Sequence, residues 1–172
     1  MTTTATFPKD LQFIHPWRDY QARVLAELEP HLEDGHLHVV AAPGAGKTIL
    51  GLEVMRRLDK PALVVAPTIT IRNQWCERFT TLFESDALEV ETLVSTQLDR
   101  PAAMTASTYQ ALHAKLSDPQ SRAALLTALE GLGTIVLDEA HHLRNEWWKV
   151  LVDLKNAREG VTVLALTATP PF

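Results

Sequence analysis

The chain has 172 residues, enough for one domain, and 46% of them are hydrophobic, enough to bury a sizeable core. A formal net charge of -5 speaks against a broad basic surface that binds nucleic acid strongly without regard to sequence, but a groove using main-chain N–H groups and a few hydroxyls stays open. A single cysteine, Cys76, excludes an internal disulfide, residues 1–10 lack the basic and apolar regions of a signal peptide, and the longest apolar run, near residues 163–166, is far too short to span a bilayer. A soluble, cytoplasmic protein without a membrane partner is expected.

Residues 1–10 are Thr-rich without apolar period and are expected to be flexible. His36–Ala41 is a short β-branched apolar run, followed by a Gly-rich turn and an amphipathic helix over Lys47–Leu58. Ala62–Ala66 is a second apolar strand and residues 69–83 a helix. Residues 88–94 and 102–105 are weaker strand candidates. Residues 107–115 and 118–130 read as helices, the second opened by Ser117-Asp118-Pro119. Thr134–Leu137 is a strand, residues 145–155 a helix and residues 161–166 a strand. Continuous rather than alternating apolar strands, separated by helices, predict an α/β fold with a mostly parallel sheet covered on both faces. In such a sheet ligands bind at the carboxyl ends of the strands.

Three strand ends carry chemistry. The first runs into AAPGAGKT, where small residues let the backbone curl its N–H groups toward phosphate oxygens and the helix start adds its dipole. Lys47 then reaches the outer phosphates and the Thr48 hydroxyl suits Mg²⁺. Ala41 stands where the strict phosphate-loop pattern has glycine, and the bland reading is a Gly-containing turn without a ligand. The second strand end is TIVLDEAHHL, with Asp138 directly after the strand. A Mg²⁺ beside Lys47 needs a carboxylate from a neighbouring strand, which suits Asp138, and Glu139 suits the base that deprotonates an attacking water. Zinc is a poor fit, since His141 and His142 are adjacent and point apart, with no cysteine near. The plainer alternative is that both carboxylates merely favour a helix start, which would leave the phosphate loop without a metal partner. The third strand end is LTATPPF, where Thr167 and Thr169 are placed to hydrogen-bond across the sheet toward the Asp138–His141 turn. By itself it is an ordinary strand exit.

Together these residues resemble the first RecA-like motor domain of superfamily 2 helicases and translocases, the DEAD/DEAH-box type of P-loop NTPase. AAPGAGKT matches motif I, DEAH at Asp138 to His141 motif II, and TAT at Thr167 to Thr169 motif III. VVAPTITIRNQW looks like motif Ia, TASTYQAL like the neighbouring strand-contact motif, and RDYQ like the upstream adenine-reading segment within residues 11–35. The motifs stand in the family's order and cover nearly the whole chain. The resemblance implies ATP and Mg²⁺ as cofactors and an ATP hydrolase in the full-length protein. Pro43, Gly44, Ala45, Gly46, Lys47 and Thr48 would hold the phosphates. Gln21, supported by Arg18, would read the adenine. Thr48 and Asp138 would serve the metal, and Glu139, Lys47 and Asp138 catalysis. Pro67, Thr68, Arg72 and Thr108 would meet the nucleic-acid backbone, and His141, Thr167 and Thr169 would couple the two sites. The Tyr-Gln pair, GAGKT and NQW are more similar to the DNA-directed branch, with the helicase subunits of type III restriction enzymes and the excision-repair helicases. DNA is therefore the expected partner over RNA.

The family's motor closes ATP between two such domains, with its arginine fingers on the second, so residues 1–172 by themselves are expected to be monomeric and nearly inactive. A rival of another class is a nucleotide-dependent switch that does no work on nucleic acid. It has no need for a backbone-tracking strip. Among the remaining residues, one of Trp147 and Trp148 is expected to pack and the other to be partly exposed. Cys76 is expected to be buried and inert, and His31, His36 and His38 to be edge or surface residues.

Overall fold

Strand β1 (Gln12–Phe13) and helix α1 (Asp19–Leu28) precede the first long strand, β2 (His36–Ala41). Then follow α2 (Lys47–Leu58), β3 (Ala62–Ala66), α3 (Ile69–Leu82), β4 (Phe83–Glu84), β5 (Val94–Ser95) and β6 (Met104–Thr108). The chain continues through α4 (Tyr109–Ser117), α5 (Pro119–Ala128), β7 (Thr134–Leu137), α6 (Asn145–Asn156) and β8 (Thr162–Ala168). This computed structural model describes residues 6–41, 46–156 and 160–168, without the side chains of His142, Glu146, Trp147, Val150 and Ala168.

Six strands form one parallel sheet in the order β2-β8-β7-β3-β6-β5, and β1 pairs with β4 in a separate antiparallel ribbon. The order explains the two layers. From β2 to β3 to β6 the chain advances across the sheet, and from β6 to β7 to β8 it returns. Right-handed crossovers therefore put α2 and α3 on one face and α4, α5 and α6 on the other. The core is split accordingly. Leu50, Leu52 and Met55 of α2 and Trp75 and Phe79 of α3 pack on Val39, Val64, Val136 and Leu164. Leu112, Leu125, Leu151 and Leu154 pack on Leu63, Val65, Ile135 and Leu137. Residues of β3 alternate between the clusters and all five are buried, which is why the strand reads as an unbroken apolar run.

Several boundaries differ from the sequence reading, each for a local reason. Residues 88–94 hold a single 3-10 turn at Val90–Leu93, with only Val94 entering a strand. Val90 and Leu93, three apart, are buried, and Glu89 C=O accepts both the N–H and the hydroxyl of Thr92, so a tight turn satisfies both needs. The sixth strand runs to Thr108, beyond the expected 102–105, and α4 starts at Tyr109, because the Thr108 hydroxyl caps it by accepting Ala111 N–H at 3.1 Å. Helix α1 was not legible, since its buried stripe begins with a polar residue, Gln21, before Leu25.

The expected flexibility of residues 1–10 also gives way where those residues are described. Phe7 is buried and packs edge-on against Phe79 at 6.2 Å. The Asp59 carboxylate, at the end of α2, accepts the N–H groups of Thr6 and Phe7 at 3.0 and 2.9 Å. Residues 1–5 lie outside the described residues. Trp148 is half exposed, as expected of one member of its pair. Cys76 is only partly buried, and burial pushes its thiol pKa up, away from the reactive thiolate. Among the described residues no helix is long and apolar enough to cross a membrane.

Candidate nucleotide and nucleic-acid site

The carboxyl ends of β2, β7 and β8, adjacent in the sheet, meet at one place. At the start of α2, Gly46 has φ of +75°, a conformation open to glycine at little cost. A Cβ at Gly46 would stand 2.7 Å from the Gln21 side-chain nitrogen, so the glycine also admits Gln21. Gln21 is buried on α1, and its Oε1 accepts Arg18 N–H at 3.1 Å, pinning the side chain to its own helix start. A cleft of about 380 Å³ opens beside these residues, lined by Phe13, His15, Arg18, Gln21, Ile49 and Arg78 among others. This suits a planar base edged by a few polar groups. Phe13 and Arg78 escaped the sequence reading. One comes from the two-residue strand β1 and the other from the middle of α3, and nothing in the linear order joins them to Gly46.

Lys47 projects from the first turn of α2 toward β7. Its ammonium pairs with the Glu139 carboxylate and lies 3.5 Å from Asp138 Oδ1. Lys47 is held here by charge and by a hydrogen bond to Glu139, both of which phosphate oxygens can replace without moving the backbone. Thr48, the next residue, is buried. Asp138 is 2% exposed and each carboxylate oxygen has a donor: Oδ2 accepts Trp75 Nε1–H at 2.8 Å and Oδ1 accepts Glu139 N–H at 2.9 Å. Its carbonyl accepts the Tyr109 hydroxyl at 2.9 Å. The Tyr109 pKa is driven up, first by burial and then by the nearby charges of Asp138 and Glu139, so the phenol stays a donor.

Glu139 adopts the left-handed region, φ 52° and ψ 46°, uncommon for a residue with a side chain. The turn swings its carboxylate back over Lys47. His141 Nε2 lies 3.3 Å from Glu139 Oε2. Thr167, expected to face that turn, has its hydroxyl 3.1 Å from His38 Nε2 on the opposite neighbour strand β2. The reason is topological: β8 lies between β2 and β7, and His38 and Thr167 sit on the same sheet face. His38 is an exposed residue of the edge strand β2, as expected, and meets Thr167 there. Pro43, Gly44, Ala45 and Thr169 lie outside the described residues.

The expected nucleic-acid strip lies on the next strands over. Ala66 pairs in register with Thr108, bringing Pro67 and Thr68 beside it. Both threonines cap helices: Thr68 Oγ1 accepts Ile71 N–H at 3.1 Å, as Thr108 does for Ala111. Each hydroxyl accepts locally and keeps its O–H to donate, so an incoming phosphate would meet these hydroxyls together with the remaining N–H groups and dipoles of two helix starts. Arg72 has its guanidinium on Asn73 Oδ1 at 3.0 and 3.1 Å.

Thr48 and Asp138 offer a hydroxyl and a carboxylate, the hard oxygen donors Mg²⁺ prefers. Among the described residues there is no group of three or more His, Cys, Asp or Glu that would cage a metal by itself. The donor set therefore fits an ion that completes its shell with phosphate oxygens and water.

A parallel sheet with a phosphate-loop helix start, a facing Asp-Glu turn and a buried glutamine beside it defines the RecA-like domain of superfamily 2 helicases. The chain belongs to the family described as the type III restriction enzyme res subunit, which it matches over residues 14–172. It is 28% identical over 153 residues to the DNA 3'-5' translocase XPB2 of Sulfurisphaera tokodaii, covering 89% of this chain and 30% of that protein. A viral relative, QP509L of African swine fever virus, carries the words RNA helicase in its name. It is 27% identical over 158 residues, covering 90% of this chain and 29% of that protein. The crystal structure of the Pyrococcus furiosus Hef helicase domain superposes with a TM-score of 0.67 at 26% identity, covering 91% of this chain and 33% of that one. The chain thus spans about a third of the length of the relatives it matches.

Proposed function

We propose that this domain is the ATP-binding half of a DNA-directed helicase or translocase, and that the full-length protein hydrolyses ATP to move along DNA. The observation carrying the reading is the Lys47–Glu139–Asp138 cluster at adjoining strand ends, with two capped helix starts in register one strand further on. A nucleotide switch without nucleic acid would need the first feature and not the second.

In this reading the nucleotide base enters the cleft beside Gln21 and Arg18, where the Gln21 amide nitrogen is the group left to meet an adenine acceptor. The outer phosphates draw the Lys47 ammonium off Glu139. Thr48 and Asp138 would hold Mg²⁺, which would neutralise phosphate charge. Glu139, freed of Lys47, takes the proton of the attacking water. His141, 3.3 Å from the Glu139 carboxylate, relays from that base toward Thr167 on β8. The DNA backbone lies across the starts of α3 and α4, met by main-chain N–H groups near Pro67, Thr68 and Thr108, with Arg72 beside them. With a net charge of -5, few phosphates are neutralised, so binding is weak and its salt dependence shallow.

The test is ATP turnover by the full-length protein with double-stranded DNA, single-stranded DNA or RNA, beside a Glu139→Gln variant. DNA-stimulated phosphate release is expected, with Glu139→Gln retaining nucleotide binding and losing turnover. Stimulation by RNA alone would move the reading to the RNA-directed branch. Turnover indifferent to any polynucleotide would favour the switch.

A further inference from the structure

We propose that Trp75 and Tyr109 are positioning residues for the metal-side carboxylate, holding Asp138 at a set angle to Lys47 and Thr48. The inference rests on the reading of Asp138 as the residue that serves Mg²⁺. Both aromatics are buried, Trp75 at 0% and Tyr109 at 2% exposure, and for the core alone phenylalanine would serve at either place. What phenylalanine lacks is the donor. Trp75 Nε1–H reaches Asp138 Oδ2 at 2.8 Å, and Glu139 N–H reaches Oδ1 at 2.9 Å. With one donor on each oxygen the carboxylate cannot rotate about its last bond without breaking both. The lone pairs left over point in fixed directions. The Tyr109 hydroxyl holds the carbonyl of the same residue at 2.9 Å. That carbonyl belongs to the peptide joining Asp138 to Glu139, whose backbone turns into the left-handed region.

The helices supplying these groups make the arrangement more than a local contact. Trp75 comes from α3 and lies against α2, the helix that begins with Lys47 and Thr48. A Cβ on Gly51 of α2 would stand 2.6 Å from the Trp75 ring, so the slot for the indole is cut into the helix that carries the phosphate-side residues. The ring thus spans from the middle of α2 to the end of β7 and sets the distance between the two halves of the site. Tyr109 is the first residue of α4, immediately after its Thr108 cap. Partners that orient a metal-ligating carboxylate typically govern metal affinity by roughly 10–100-fold when removed.

The experiment uses the full-length protein and a fluorescent ADP. Nucleotide binding is followed while Mg²⁺ is titrated, and again in excess chelator, for wild type, Trp75→Phe, Tyr109→Phe and Lys47→Ala. Melting temperature is recorded for each. The expected result is that Trp75→Phe raises the half-saturating Mg²⁺ concentration roughly ten-fold or more. Tyr109→Phe is expected to shift it in the same direction, and metal-free nucleotide binding to stay put. A purely packing role would lower the melting temperature and leave the Mg²⁺ half-point where it was. Folded variants with an unmoved half-point, or with metal-free binding lost in equal measure, overturn the proposal. If Trp75→Phe does not fold, Tyr109→Phe, which loses one oxygen, decides alone. Lys47→Ala separates the two levels. Loss of nucleotide binding there with unmoved half-points in both Phe variants sinks the positioning role only, whereas unchanged binding in Lys47→Ala sinks the nucleotide site and the positioning role with it.

Discussion

Two glycines, one at the start of α2 and one within it, act through what they lack. Gly46 turns the chain into α2 with a positive φ and leaves room for Gln21, while Gly51 lies mid-helix, where glycine costs about 1 kcal/mol relative to alanine. Its compensation is the Trp75 ring. Gly51→Ala recovers that propensity but drives a methyl to 2.6 Å from one buried ring and 3.0 Å from Leu166, an overpacking worth about 1–3 kcal/mol. A net loss of stability is expected, read as a lower urea midpoint. An unchanged or raised midpoint would mean that Trp75 has slack and does not wedge α2. Glu139 shows the converse, a residue with a side chain kept in glycine's region. A strained backbone persists where surrounding contacts over-determine it, here the Tyr109 hydroxyl on one side and Lys47 on the other.

At the scale of elements, the start of α5 was readable from Ser117-Asp118-Pro119, whereas α1 and the Thr108 cap of α4 were not. Thr68, Thr108 and Asp118 each accept an N–H three residues on, and Pro119 follows Asp118 at the first helical position. Asp118 is drawn below the usual carboxylate range chiefly by the Ser121 N–H. Helix α2 carries a buried ion-pair cluster at the i,i+3 and i,i+4 spacings that favour it. Glu53, 2% exposed, holds Arg56 at 2.7 and 2.8 Å and Arg57 at 2.8 Å, and Arg57 continues to Glu29 at 2.8 Å. Burial pushes the Glu53 pKa up, but the hydrogen bonds and charges of the two arginines outweigh it and leave the group below its ordinary value. A depressed folded value means stability that is present above the unfolded pKa, about 4.3, and lost as pH falls through the folded one. Glu53→Gln is therefore expected to cost about 1–3 kcal/mol at neutral pH, shrinking as the pH drops below about 4. Urea unfolding of both proteins across that range checks it. A penalty that is the same at pH 3 and pH 7 would show that shape, not charge, is what Glu53 supplies.

For the whole molecule, the decisive fact is the share of its relatives that it spans, about a third. In the proposed motor a second domain closes over the γ-phosphate and supplies the arginine finger, a contribution of about 10³–10⁵ in rate. Without closure the developing charge stays exposed to water. A polypeptide of these 172 residues alone is therefore expected to bind Mg-nucleotide loosely and release phosphate at a barely detectable rate, with DNA making no difference. Steady-state phosphate release against a Lys47→Ala blank measures this. Robust, DNA-stimulated release that vanishes in the blank would mean that this polypeptide assembles a complete site, for instance by pairing with an arginine from a second copy.

The sequence by itself determined the class of fold, the order of the long parallel strands and of the helices from α2 onward, and the strand ends at which the candidate site residues gather. Each of these rests on short-range rules: apolar runs for buried strands, caps and glycines for helix starts, and small-residue turns before Lys47. What only the tertiary structure decided is which distant groups meet there. Trp75 and Tyr109 enter the sequence reading only as letters of the two motifs VVAPTITIRNQW and TASTYQAL, and nothing in the linear pattern ties either to Asp138. Their partner Asp138 lies 63 residues from the first and 29 from the second. Thr167 meets His38, 129 residues away, because parallel register puts the two side chains on one face of adjoining strands. Gln21 could be matched to a motif, but its contact with Gly46 depends on α1 packing back over the sheet, which no local preference in residues 11–35 encodes.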